Sequence, residues 1–208
     1  MADAVQGAIR NGNTVAQGTI ALNQLAEQLS AMGLPPYTEM VRKGRAWATM
    51  STSAVAGLVV RPSTAAALEL WNGNPVGGAS MIIDRLFYFN LVSTNVIEGF
   101  SGWAQVTASK ATPSSASLTI RGASGKPYSG SVITAVGTTV VDSGWFPWTQ
   151  AYQKGAGGVV PFGAVVANVE GRLIVPPQCS LCLHVVSSLT GQTFTQGASW
   201  FEEVISLE

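Results

Sequence analysis

GRLIVPPQCSLCLHVVSSLTGQTFTQGASWFEEV, residues 171 to 204, holds a short apolar run at Leu173, Ile174 and Val175, a Pro176-Pro177 corner and a second run from Cys179 to Val186. A Thr/Gly/Gln turn follows, and then a closing run from Ala198 to Ile205. The pattern reads as strand, corner, strand, turn, strand. In the middle run Cys179, Leu181, Leu183 and Val185 fall on one side at period two, and Ser180, Cys182, His184 and Val186 on the other. Both sides are largely apolar, which places this strand inside a sandwich rather than on an edge. Proline has no N–H to give a ladder, so the pair at 176 and 177 belongs at an edge, a bulge or a strand start.

Working outward, from Tyr37 the chain is β-rich, with Gly, Ser, Thr and Pro punctuating short runs. Strands are expected over Arg45 to Thr52, Ala54 to Val60, Ala65 to Trp71, Ser80 to Val92, Gly99 to Ala108 and Ser117 to Gly122. Val132 to Ser143, Val159 to Val169 and the closing three complete the set. In Ser80 to Val92 the alternation assigns Ile83, Arg85, Phe87, Phe89 and Leu91 to the core face, with Arg85 the exception. Turn signals such as Asn72-Gly73-Asn74-Pro75 and Ser124-Gly125-Lys126-Pro127 separate the runs. The six tryptophans show no fixed period, which argues against a propeller or solenoid. The expected fold is all-β, an antiparallel jelly-roll-like sandwich over 37–208.

Residues 1–36 read differently, as an N-terminal helical arm. Ala8, Val15, Leu22 and Leu29 lie seven apart, as do Gly18, Leu25 and Met32, so both series share one helical stripe. Gly33 followed by Pro35 and Pro36 stops it. Val15, Leu22, Leu25, Leu29 and Met32 are therefore candidate docking or trimerisation residues. Two readings stand: a helix lying against its own domain, and an arm that docks elsewhere or pairs with sister arms.

Only 11% of the 208 residues are charged, against about 25% in an ordinary soluble domain. The mean hydropathy is +0.29. Yet no apolar run approaches the roughly 18 residues of a membrane span, so no membrane partner is expected. The opening MADAVQGAIR lacks a basic segment followed by an apolar core, so no secretory signal is expected. An apolar, poorly charged chain of this kind hides surface against copies of itself or a larger assembly. The 11 basic and 11 acidic residues cancel, and the one basic cluster, Arg42, Lys43 and Arg45, is too small for an expected nucleic-acid footprint.

Cys179 and Cys182 form a C-x-x-C with His184 beside it, but a structural zinc site takes four ligands and the sequence has no other Cys or His. On an extended strand the two cysteines point to opposite faces and cannot bridge each other. His184 is the only histidine, with no motif supplying a nucleophile, and the carboxylates are scattered, with Glu202 and Glu203 on opposite faces. No catalytic residue, metal or cofactor is expected. Trp145, Phe146, Trp148 and Tyr152 form the one aromatic cluster, read as a loop: either a platform for a sugar ring or an interface anchor, with the interface favoured.

Gly171, Val175, Pro176, Pro177, Leu181, Leu183, Trp200, Glu202 and Glu203 together resemble the C-terminal strands of phage virion proteins with a trimeric, TNF-like jelly roll. Gln178 stands where a glycine is more usual. The resemblance implies a homotrimeric virion protein, made in the host cytoplasm and partnered by a major capsid or tail protein. It would be a decoration or cement protein on the head. The alternative is the knob of a head or tail fibre that binds a host surface glycan.

Overall fold

The protein's structure, a computed structural model, describes residues 36–92, 97–108, 118–154 and 163–205. Val15, Leu22, Leu25, Leu29 and Met32 of the expected arm lie outside the described residues. The described residues form one helix, α1 (Pro36–Lys43), and twelve strands. The strands are β1 (Ala46–Met50), β2 (Val55–Ala56), β3 (Ala65–Asn72), β4 (Ser80–Val92), β5 (Ile97–Thr107), β6 (Arg121–Gly122), β7 (Val132–Thr139), β8 (Phe146–Lys154), β9 (Ala164–Asn168), β10 (Ile174–Val175), β11 (Ser180–Ser187) and β12 (Thr193–Glu203).

Helix α1 begins where the sequence reading placed a stop. Pro36 is its first residue, a position whose N–H has no helical partner in any case. Arg42 Nε and Nη2 close the turn onto Glu39 at 2.7 and 2.6 Å. The β structure falls within a compact unit that starts at Lys43.

The strands form two antiparallel sheets. Sheet I has the order β9-β4-β12-β1-β6, with β10 also on β4 and β2 on β12; sheet II has the order β7-β3-β11-β5-β8. Counting β1, β3, β4, β5, β8, β9, β11 and β12 as first to eighth, sheet I runs 6-3-8-1 and sheet II 2-7-4-5, the strand order of a jelly roll, with β7 an added edge beside β3. β11 lies between β3 and β5, as its two-sided apolar pattern predicts. Leu181, Leu183 and Val185 meet Leu68, Leu70, Tyr88, Phe194 and Trp200 in the core between the sheets.

Pro176 and Pro177 sit between β10 and β11, where the chain passes from sheet I to sheet II. Cys179 N donates to Pro176 O at 3.2 Å, and Gln178 has φ +64°. A Pro at the second position and a positive φ at the third fit a type II turn.

Several expectations need correction. In β4 the core residues are Met81 and Ile83, then Leu86, Tyr88 and Asn90, so Phe87, Phe89 and Leu91 face outward rather than inward. The cause is a bulge: β12 pairs Ser199 with Arg85 but Trp200 with Ile83, and the extra residue reverses the alternation. The closing strand starts at Thr193, not Ala198. The strand expected to reach Ser143 ends at Thr139, the one expected over Ala54 to Val60 is the short β2, and of that expected over Ser117 to Gly122 the described residues, 118–122, form a strand only at Arg121 and Gly122. The aromatic stretch read as a loop is β8, paired along β5.

Candidate functional site

The two outer faces of the sandwich differ in what covers them. On sheet II, residues 140–145 fold over the strands as a strap. Val140 and Trp145 pack with Ala66, Cys182 and Trp103 in a second apolar cluster. Trp145 Nε1 donates to Ser63 O at 2.8 Å, and Val140 N to Thr64 O at 2.9 Å. Gln105 clamps the strap from below, its Nε2 donating to Val141 O at 2.9 Å and its Oε1 accepting from Ser143 N at 2.8 Å. Outside, Arg61 grips Asp142 with two bonds of 2.7 and 2.9 Å, and that hydrogen bonding holds the Asp142 carboxyl below the usual carboxylate range.

Under the strap lies a polar cluster. Ser180 Oγ donates to Glu69 Oε1 at 2.6 Å, and both residues are buried. Burial pushes the Cys182 thiol up, with the Glu69 charge adding to the effect and a Gln105 hydrogen bond opposing it. Such a thiol stays protonated and is a poor nucleophile. His184 is also buried, and burial lowers its pKa; its Nδ1 takes the Val185 N–H at 2.9 Å. Cys179 packs instead against the main core, and both cysteines are free thiols. Among the described residues no group of three His, Cys, Asp or Glu side chains could hold a metal ion.

The four aromatic residues read as one cluster are divided by the fold. Trp145 is only 5% exposed, in the strap cluster, so it offers no ring to a ligand. Trp148 packs against the main core, and Phe146, 62% exposed, meets it edge-on with ring centroids 6.0 Å apart. Tyr152, 74% exposed, borders an open groove of roughly 620 Å³. The groove also takes in Val59, Ser101, Gln150, Val186 and Ser188, and none of the described residues lining it is charged.

Sheet I presents a different outer face. In-register pairing sets Val166, Phe87, Gly197 and Met50 in one row across β9, β4, β12 and β1. Ala164, Phe89 and Thr195 make the next row. Val166 is 43% exposed and Met50 37%. Gly197 supplies no side chain, because a Cβ there would overlap Thr49 O, and a hollow of roughly 420 Å³ on this side is lined by Ala48, Met50, Phe87 and Phe89 together with three threonines and Arg121. Sequence reasoning missed this face because it counted Phe87 and Phe89 as core. The signal in the sequence was Asp84-Arg85, two charges in mid-strand where the bulge lies.

No protein-family model matches the chain, and no curated protein matches it.

Proposed function

We propose that this chain is a non-enzymatic virion subunit, a homotrimeric decoration or cement protein that assembles through the outer face of sheet I. The observation that carries the reading is the apolar row Val166, Phe87 and Met50, part-exposed on a sheet face that ordinarily carries polar residues. The jelly-roll strand order supports it, since that architecture recurs in viral capsid domains. Fold alone does not fix function, and the same architecture serves lectins. In a threefold ring the contact is heterologous, so this row meets a different surface on the neighbouring copy. Residues 1–36 are assigned the attachment to the particle, on the strength of their heptad stripe.

Light scattering on the purified protein tests the assembly. The expected mass is about three times the 21.6 kDa of one chain, and Phe87→Asp is expected to leave a folded monomer, because a charge buried without a partner in an interface is strongly disfavoured. A wild-type protein that stays monomeric at micromolar concentration overturns the trimer. Copy number per virion then separates a head lattice from a fibre.

A further inference from the structure

We propose that the groove beside Tyr152 is a binding site for a neutral saccharide, separate from the assembly face on sheet I. A sugar ring offers an apolar face of C–H groups and a rim of hydroxyls. A site for it needs an exposed aromatic ring together with fixed hydrogen-bonding groups, and a volume of about 300–1,000 Å³. The groove, roughly 620 Å³, meets that size.

Its aromatic ring is placed by the strand register. Tyr152 stands directly opposite Gly99 in the β5–β8 register, and a Cβ added to Gly99 would come within 3.7 Å of Tyr152 Cδ2. The ring thus rests beside bare backbone while most of it stays open to solvent. Its hydroxyl partners are fixed as well. Ser188 N donates to Gly99 O at 2.9 Å, and Ser188 Oγ accepts from Gly99 N at 3.1 Å, which orients the hydroxyl and leaves its hydrogen to donate. Ser101 Oγ likewise accepts from Trp103 Nε1 at 2.8 Å; its contact with Val186 O, at 3.5 Å, is long for a hydrogen bond. Gln150, exposed on the same edge strand, adds an amide with both donor and acceptor. Groups already held in position lose little freedom on binding.

The lining also decides between ligand classes. No charged residue is among the described lining, so none of these groups compensates a phosphate or an acidic sugar. Seryl and amide groups along the floor would be left unpaired by a lipid chain. A neutral sugar satisfies both the ring and the hydroxyls.

The test uses the full-length protein in its native assembly, titrated calorimetrically with tri- to hexasaccharides from dextran, mannan and chitin, and with oligogalacturonate as the acidic counterpart. At least one neutral oligosaccharide is expected to bind in the micromolar to millimolar range. Tyr152→Ala is expected to weaken it by at least about tenfold, Tyr152→Phe to retain it, and Gln150→Ala to weaken it several-fold. Phe146→Ala, outside the groove, is expected to leave it unchanged. The site is overturned if no neutral oligosaccharide binds at millimolar concentration, if oligogalacturonate binds tighter, or if Phe146→Ala weakens binding as much as Tyr152→Ala. Mass and thermal midpoint, measured on the same samples, report folding and assembly separately, so failure here leaves the trimer question to its own measurement.

Discussion

Gln178 occupies a backbone conformation, φ +64°, that a side chain disfavours by about 1–2 kcal/mol. Two bonds offset that cost: its N–H donates to Asn72 O at 2.8 Å, and its Nε2 to Asn74 O at 2.6 Å. Glycine would relieve the strain but lose the side-chain bond, worth about 0.5–1.5 kcal/mol, and would add chain entropy to the unfolded state of about 0.5–1 kcal/mol. These terms nearly cancel. Gln178→Gly is therefore expected to leave the denaturant midpoint almost unchanged, while the β-branched Gln178→Val, which keeps the strain and loses the bond, should cost about 2 kcal/mol or more. A large gain from glycine would show that the side-chain bond contributes nothing. A second residue explains the end of the closing segment. Glu202 Oε1 accepts from Tyr128 O–H at 2.8 Å and Trp200 Nε1 at 3.1 Å, so the carboxylate pins the 128–132 turn onto β12 beside the buried indole. Glu203, on the opposite side, pairs with Arg45 at 3.0 Å.

Two elements decide which surfaces remain open. The bulge in β4 turns Phe87 and Phe89 outward and Leu86 and Tyr88 inward, and the carbonyl of its extra residue is satisfied: Asp84 O accepts from Val169 N at 2.8 Å and Glu170 N at 2.9 Å. Tyr88, turned inward, fits because Gly102 faces it without a side chain, and its hydroxyl donates to Trp103 O at 3.1 Å. The strap over sheet II does the reverse and covers part of a face. Trp145 is its apolar anchor, so Trp145→Ala is expected to destabilise the fold by about 3–5 kcal/mol, through a cavity and the loss of its bond to Ser63 O. Neighbouring Phe146→Ala, at an exposed position, should change stability by no more than about 0.5 kcal/mol. Chemical denaturation of both variants checks the contrast, and equal losses would mean that the strap is not held through Trp145.

At the largest scale, the β unit's core, shared by two sheets, sits beneath one face covered in part by the strap and one apolar, part-exposed face. Because the compact β unit starts at Lys43, a chain beginning at Tyr37 is expected to unfold cooperatively with the midpoint of a folded sandwich, yet to fail to add to particles lacking the protein. Circular dichroism and particle co-sedimentation read the two outcomes independently. Aggregation of the shortened chain would assign the N-terminal stripe to the domain's own core. Normal decoration would instead place attachment on the sandwich.

The sequence by itself determined what depends on local period and local backbone preference. Alternating Leu181, Leu183 and Val185 against Cys182 and His184 fixed β11 as a strand buried on both sides, and Pro176-Pro177 fixed the corner before it. Tertiary structure alone decided what depends on pairing between distant segments. The core face of β4 follows from where β12 skips a residue, which no count along residues 80 to 92 can locate. β8 looked like a loop because Gly144 precedes it and Pro147 lies within it, but on an edge strand, opposite a bulge at Gly102 and Trp103, a missing N–H goes unnoticed by the ladder. The groove beside Tyr152 could not be read in advance for the same reason: Val59, Ser101, Tyr152 and Ser188 are far apart in the chain, and only the stacking of β11, β5 and β8 in one sheet brings them to a common surface.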